Sequence, residues 1–589
     1  MAGFKVVGFG GEIPRKFSRE LPDQMAEQAW NCDLSSGPLN GLPIPLLVQD
    51  LSATPTAVRR AYRFPGPADG DPDFWLPLPS EFSSVVRSPL ANDTLHRLYW
   101  SNPSGAGAVD PGCWWNSYAR LVAGSPNYNL GFTYPDPGIV ITVVATGGTG
   151  PTVVPYIVRA YTFTYIDEYG QESSPCTPSV PVSGASDGTW TISGLPTSAP
   201  ASPAGKLFPT VVNIRLYRTL TGQSGSDYFH VTDLAFGSAT YADTIPDTSI
   251  SSGTLLATTS FLPPLDDMDG LTGFPGGMMV GFTDNTIHFC EPNRPNAWPA
   301  AYDQSLQYKI LGFGVWQTSL IVLTEGFPSS GTGAAPSNFT FSTVQVPEPC
   351  ISRGSIITDL MGVYYASQNG LVMLNYFGMQ NQTLSTLTKN IWLTDFHAAN
   401  IVACRHRAQY LAINGTGVGF VIDYTEARLG IVMLNTFSNA VCIWNDVYRG
   451  DTYICADKKV YLWDSPDTNA LVYRWRSKQF FLPSPTNLGA ALVEMSSDVL
   501  AHPPVDPLTP LANADPSLVL PVGVNAVFRV LVDIAGDMVP VFECALTAPR
   551  NFLRLPSGFK EFTWQFEIVG RVPVFEVKLA RTMKELAGI

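Results

Sequence analysis

Met278-Met279-Val280-Gly281-Phe282, a polar turn, and then Thr286-Ile287-His288-Phe289 form the stretch on which the fold turns. The same apolar strand returns as Ser319-Leu320-Ile321-Val322-Leu323, Gly362-Val363-Tyr364-Tyr365-Ala366, Gln409-Tyr410-Leu411-Ala412-Ile413 and Thr452-Tyr453-Ile454-Cys455-Ala456. Aligned on Val280, Ile321, Tyr364, Leu411 and Ile454, the copies stand 41, 43, 47 and 43 residues apart. Most copies turn into a second apolar strand, as at Leu371–Leu374, Val418–Ile422 and Val460–Trp463. A strand-rich unit of roughly 40–50 residues is the period of a β-propeller blade, a small sheet that buries its faces only against neighbouring blades. The spacing predicts an all-β chain with blades over residues 263–475.

Composition agrees with many short strands. The 589 residues are 45% apolar, 12% aromatic and only 14% charged, with 51 glycines and 50 prolines spread along the chain. Glycine supplies positive φ and proline fixes φ at about −65°, so this mix suits strands joined by tight turns. A net charge of −14 argues against a nucleic-acid-binding surface, which needs clustered lysine and arginine. No run of 18 apolar residues predicts a transmembrane helix, and Glu12, Pro14 and Arg15 leave no room for a secretory apolar core near the start. The nine cysteines are odd in number and scattered, with no C-x-x-C pair. They read as free thiols, mostly in strand cores, of a protein made in a reducing cytosol.

Outside the repeats the chain divides into three parts. Residues 1–139 read as a helix plus propeller or platform strands, the helix being Leu21–Trp30 with Pro22 in its first turn. Within them Arg97-Leu98-Tyr99-Trp100 looks like another blade strand. Residues 140–262 carry short alternating strands, beginning with Tyr161, Phe163 and Tyr165 on one face, and predict an inserted β-sandwich. Its Y-T-F-T-Y-I-D-E-Y-G-Q-E-S-S-P stretch and Ile214-Arg215-Leu216-Tyr217-Arg218-Thr219 resemble a fibronectin type III module. Residues 476–589 alternate, with Trp564, Phe566 and Ile568 opposite Thr563, Gln565 and Glu567, and predict a half-buried antiparallel sheet; Arg581–Leu586 reads as a short terminal helix.

A search for chemistry yields no constellation. His96, His230, His288, His397, His406 and His502 show neither H-E-x-x-H nor H-x-H spacing, and Arg405 and Arg407 flank His406 with positive charge. Asp266-Asp267-Met268-Asp269-Gly270 lacks the carboxylates a calcium loop needs at its first and twelfth positions, and reads as a polar turn. Ser186-Asp187-Gly188-Thr189-Trp190 resembles a sialidase Asp-box but occurs once, with the wrong spacing. The reading assigns no catalytic, cofactor-binding or metal-binding residue, and no cofactor.

A family resemblance rests on dispersed motifs. Gly10-Gly11-Glu12-Ile13-Pro14-Arg15, Leu21-Pro22-Asp23 and Asn31-Cys32-Asp33-Leu34-Ser35-Ser36-Gly37-Pro38-Leu39 resemble the start of tail proteins of short-tailed bacteriophages. Phe274–Phe282, Ile287–Pro292, Asn296-Ala297-Trp298-Pro299 and Tyr365–Leu371 are similar to that family's propeller motifs, and Tyr473–Phe481 to its exit from the propeller. Asn296 stands where many relatives have histidine; its expected role is a loop contact. The resemblance implies the tail nozzle (tail tubular protein B) family: a structural virion protein of a podovirus-like tail, not an enzyme, synthesised and assembled in the host bacterial cytoplasm. Its implied partners are further copies of itself in a ring, usually a homohexamer, the head-to-tail adaptor, tail fibres or spikes, the host outer surface, and phage DNA passing through the lumen without sequence-specific binding. The alternative is a carbohydrate-active or glycan-binding propeller of depolymerase or adhesin type. The Gly- and Pro-rich segments 327–337 and 502–516 are expected to be long loops and candidates for facing a channel axis.

Overall fold

The computed structural model describes residues 3–588 except 69, 106, 151, 155, 221–226, 376–377, 424–429, 436, 438, 467, 497–517 and 522. Among the described residues the propeller has seven blades. The five repeats are the second strands of blades 3 to 7, at Met278–Thr283, Ser319–Thr324, Gly362–Ser367, Gln409–Ile413 and Asp451–Ala456. Each is hydrogen-bonded on both sides within its own sheet and packed on both faces by adjacent blades. Such strands read as unbroken apolar runs, which is why the repeat is visible.

The N-terminal part supplies the rest of the circle. Blade 1 is the hairpin Arg60–Phe64 with Phe74–Leu78, and blade 2 runs through Ser84–Arg87, Arg97–Asn102, Gly112–Ser117 and Tyr128–Asn129. Blade 7 takes its fourth strand from Leu46–Asp50, which pairs antiparallel with Lys459–Trp463. A strand from near the chain's start thus completes the last blade and covers its open edge.

The inserted sandwich faces Tyr161–Asp167, Val211–Thr219 and Tyr228–Ala235 against Thr142–Thr146, Thr189–Ser193 and Thr240–Asp243, with an antiparallel pair of Tyr156–Arg159 and Val182–Ala185 beside the second sheet. Trp190, Tyr161, Phe163 and Leu216 fill its core. Two arginines also lie fully inside. Arg218 pairs with Asp243 and Asp247, and Arg159 bonds Asp247 with its guanidinium 4.8 Å from the Trp190 ring. Two cations and two carboxylates neutralise one another, the condition for keeping such charges dry. The insertion leaves and rejoins the propeller at one place: a Cβ on Gly131 would stand 2.6 Å from the Cβ of Pro263.

Both chain ends build the remaining domain. The sheet of blade 6 does not stop at Ile431–Leu434; it continues through Ala26–Trp30, Tyr473–Ser477, Glu561–Gly570, Ala526–Ile534 and Asp537–Ala545. A second sheet, Gly3–Val7, Val574–Ala580, Ala490–Met495 and Arg550–Arg554, packs against it over Val6, Phe480, Phe528, Phe566, Val577 and Leu579.

Several expectations are corrected. Leu21–Trp30 is not a helix: Ala26–Trp30 is a strand paired with Tyr473–Ser477, and a partner strand remote in sequence overrides the weak helical spacing. Blade 7 ends at Trp463, ahead of the boundary drawn at 475, because Tyr473–Ser477 joins the C-terminal sheet. The face carrying Thr563, Gln565 and Glu567 is buried rather than solvated, since Arg474, Arg476 and Arg529 close over Glu567 and Glu27 bonds Gln565. Arg581–Leu586 forms only a 3-10 turn at Glu585–Gly588. Within 327–337, Ser329–Thr332 is the third strand of blade 4, its glycines covered by Phe339 and Phe341. The segment 502–516 lies outside the described residues.

Candidate functional site: the propeller channel

Propeller strands of the innermost row surround a channel, and here that row is Arg60–Phe64, Ser84–Arg87, Asp269–Phe274, Ile310–Trp316, Ile357–Asp359, Val402–His406 and Ala440–Asp446. Two contiguous cavities occupy it, one of about 600 Å³ and one of about 540 Å³, sharing Arg60, Ser84, Thr272 and Trp444. The chain is acidic overall, yet the side chains reaching these cavities are rich in arginine: Arg60, Arg63, Arg87, Arg353, Arg405 and Arg407.

Most of these cations are neutralised. Arg353 of the turn entering blade 5 reaches across to Asp269 of blade 3, with its second guanidinium nitrogen 2.9 Å from that carboxylate. Arg405 pairs with Asp359 at 2.7 Å, linking blades 6 and 5, and Arg407 pairs with Asp464. Arg63, 4% exposed, sits between Asp73 at 2.7 Å and Asp446 at 3.2 Å. Glu81 is held by Arg59. Each of these carboxylates is engaged by a guanidinium, so none stands free as a proton donor poised against a second acid.

Thiols line the same wall. Cys404 and Cys442 are buried on adjacent strands of blades 6 and 7, and burial pushes the Cys442 thiol up to about 11 despite the nearby Arg60 guanidinium. A protonated thiol is a poor nucleophile.

Two histidine relays involve residues that do not themselves line the cavities, although the second shares Asp464 with the channel residue Arg407. His288, 5% exposed, contacts Asp303 through Nδ1 and Thr283 through Nε2, each at 2.8 Å. His406 contacts Thr452 at 3.0 Å and Asp464 at 3.1 Å. The order of groups is that of a nucleophile–base–acid relay. Neither threonine lines a described cleft in which a substrate carbon could approach, and the first relay ties the Met278–Thr283 and Thr286–Phe289 hairpin to the turn before Gln304.

The other sequence candidates fall in turns or the core. Asp266 pairs with Lys206, and Asp187 accepts from the Thr149 amide and hydroxyl in a turn. His96 and His397 adopt positive φ in turns, His230 contacts Asp233 on a sandwich strand, and His502 lies outside the described residues. Trp463 and Trp564 are buried in the hydrophobic core, and Asn296 is buried in a loop. Among the described residues no group of three or more histidine, cysteine or acidic side chains is placed to share a metal ion. Sequence reading missed the arginine-rich channel because its residues come from seven separate strands, with no local motif to mark them.

No protein-family model matches the chain, and no curated protein matches it. Among solved structures it is similar to the WD40 domain of Neurospora crassa Pan2, with 9% identity over 49% of this chain and 85% of that one and a TM-score of 0.26. It is also similar to BBS1N, solved in complex with ARL6DN, with 8% identity over 73% and 99% of the two chains and a TM-score of 0.30. The propeller assignment rests on the blade topology described above.

Proposed function

We propose that this chain is a structural tail protein, the nozzle of a short-tailed bacteriophage, assembling as a ring below the head-to-tail adaptor and conducting the genome during ejection. One observation carries the reading. The motifs that resemble the nozzle family at the two ends of the chain fold into a single contact. The Trp475 indole N–H donates to the Gly10 carbonyl at 2.9 Å across 465 residues of sequence; the Gln479 amide donates to Ser18 Oγ at 3.0 Å, and Lys478 pairs with Asp23 at 3.1 Å. The contact lies within the domain built by the two chain ends, and the same N-terminal segment bonds blade 6 through the Glu12 and Ile431 backbones, so that it fastens the propeller to that domain. A closed ring demands a fixed angle of this kind, because an error in one subunit is repeated at every interface.

The surface next to the lock supports the same reading. Phe17 is 81% exposed, Phe481 59% and Phe562 42%; the last two rings stack at 5.7 Å, with Arg19 over Phe481. Arg15 bonds the carbonyl of Leu384, itself 64% exposed, so the stripe runs onto the propeller flank. Exposed aromatics with an arginine are the composition of an interface centre. The test is negative-stain imaging and light scattering of purified protein with and without the phage adaptor. A ring seated on the adaptor is expected, and Phe17→Ser with Phe481→Ser should abolish it without lowering the unfolding temperature. A chain that stays monomeric with the adaptor and cleaves surface polysaccharide would replace this reading with the carbohydrate-active one.

A further inference from the structure

Two of the channel arginines differ from the rest. Arg60 and Arg87 have no carboxylate within salt-bridge distance among the described residues, whereas Arg63, Arg353, Arg405 and Arg407 all do. Arg60 donates from Nη1 to the Ser83 carbonyl at 2.6 Å, and its Nε is buried without a partner. Arg87 donates from Nε to the Tyr62 hydroxyl at 2.9 Å, and its Nη2 is likewise buried without a partner. Both line the cavity of about 540 Å³. A guanidinium taken out of water without a counter-charge or full hydrogen bonding is costly, and the cost is removed when an anion supplies both.

The rest of that cavity narrows the anion. Asp446 is its one acidic lining residue and is already held by Arg63, so the field inside is positive. Arg60 opens the blade 1 strand and bonds the Ser83 carbonyl at the start of the blade 2 strand; Arg87 ends that blade 2 strand and reaches Tyr62 of blade 1, so both cations lie along the seam between these two blades. Thr272 and Asn445 also line the cavity; the Thr272 hydroxyl donates to the Gly270 carbonyl and the Asn445 amide nitrogen to the Gly450 and Asp451 carbonyls, which leaves their side-chain oxygens as acceptors. Tyr448 stands at the rim, 63% exposed, its ring centroid 3.3 Å from the Arg87 guanidinium carbon. A flat wall, scattered hydroxyl and amide partners and two cations suit a ligand with a ring body, several hydroxyls and an oxyanion. The volume lies within the usual range for small-molecule sites.

We propose that this cavity binds an anionic saccharide unit, its carboxylate or phosphate held by Arg60 and Arg87 and its ring resting against Tyr448. The site belongs to a single chain. It does not rest on the nozzle reading, and a monomer in solution suffices to test it.

The experiment is titration calorimetry, with ligand-observed NMR, of the full chain against glucuronate, glucose 6-phosphate, inorganic phosphate and glucose. An anionic sugar should bind at least about tenfold more tightly than glucose, because charge-assisted hydrogen bonds are worth more than neutral ones. Arg60→Gln and Arg87→Gln should each weaken it by about tenfold or more, and added salt should weaken it further. Glucuronate alone binding identifies a carboxylate; glucose 6-phosphate competed by inorganic phosphate identifies a phosphate. Tyr448→Ala alters an exposed rim side chain and should weaken binding while leaving the unfolding temperature unchanged, which keeps the test open if an arginine variant fails to fold. The proposal is overturned if glucose binds as well as the anionic sugars. It also fails if none binds by about 10 mM, where the affinity term is only a few kcal/mol, or if Arg60→Gln, Arg87→Gln and Tyr448→Ala all bind like the parent.

Discussion

Single side chains in this protein are governed by burial more than by reactivity. Burial pushes the Glu12 carboxyl up to about 8, with Glu27 adding to the effect and the Ala29 N–H bond and Arg474 opposing it. A carboxyl raised in the folded state holds its proton longer there than in the unfolded chain. Its contribution to stability is therefore intact below about pH 4.5 and falls as pH rises toward 8. Glu12→Gln should remove that decline, raising stability above pH 8 by on the order of 4 kcal/mol while leaving it unchanged near pH 4; urea melts across pH measure this. Glu567 behaves in the opposite sense. Burial pushes its carboxyl up, but Arg476, Arg474 and Arg529 outweigh that and hold it below its ordinary value. Its contribution is present above about pH 4.5 and lost as pH falls. Glu567→Gln should cost about 3–5 kcal/mol near neutrality by leaving three guanidiniums without their shared anion, and less in acid. The thiols provide a further check. Eight of nine cysteines are buried and Cys544 is half-buried, so a maleimide should label Cys544 first in the native protein and all nine after denaturation. Two linked thiols in a non-reducing digest would contradict the free state. The unpaired cysteines were readable from their spacing. The Glu12 and Glu567 environments were not, because their charged partners arrive from remote strands.

Elements tell a similar story about what a sequence can carry. Blade strands buried on both faces were plain, since a strand such as Ser319–Thr324 needs apolar residues on both sides. The closing strand Leu46–Asp50 left no such mark: it is mostly exposed and held through its backbone to Lys459–Trp463. Ala26–Trp30 was misread as helix because five residues are too few to separate a period of two from one near four when burial comes from another sheet. The channel was illegible because its lining is gathered from strands of separate blades, none of which carries a local motif for it. The closing strand gives a direct test. Removing residues 1–51 should expose the blade 7 edge and the core around Trp475, giving association by light scattering and faster amide exchange over 459–463. The inserted sandwich should behave differently. Because it leaves and rejoins near Gly131 and Pro263, replacing 134–260 with a short linker should leave a folded propeller. That variant should also bind a hydrophobic dye, since Trp115 and Tyr128 lose their contacts with Tyr169. Loss of cooperative unfolding would show that the sandwich is part of the core.

At the scale of the whole molecule, the proposed ring makes a demand on charge. Duplex DNA carries about one charge per 1.7 Å of axis, and a basic wall would hold it against sliding. With 49 acidic residues against 35 basic, the chain can present a neutral or acidic lumen, while six of its arginines line the propeller channel, a space of a few hundred Å³ far too small for a duplex. Lysines introduced into lumen-facing loops should slow genome ejection; faster ejection would count against a sliding conduit. The join between propeller and C-terminal domain has a mechanical side as well. The blade 6 sheet and the C-terminal sheet are continuous, yet at the seam Ala26–Trp30 meets Ile431–Leu434 through one parallel pair, Trp30 with Met433, backed by the Asn31 and Asn435 amides at 2.7 Å and by a single antiparallel bridge between Glu12 and Ile431. On either side the ladders are antiparallel and several pairs long. Within the sheet itself this seam is the shortest ladder, so it is where we expect the sheet to part under tension. Pulled in optical tweezers from the blade 7 turn at 448 and the sheet turn at 536, the protein should yield there first, the two bodies parting as intact units before either unravels. A nozzle swollen by pressurised genome would then have a built-in fuse.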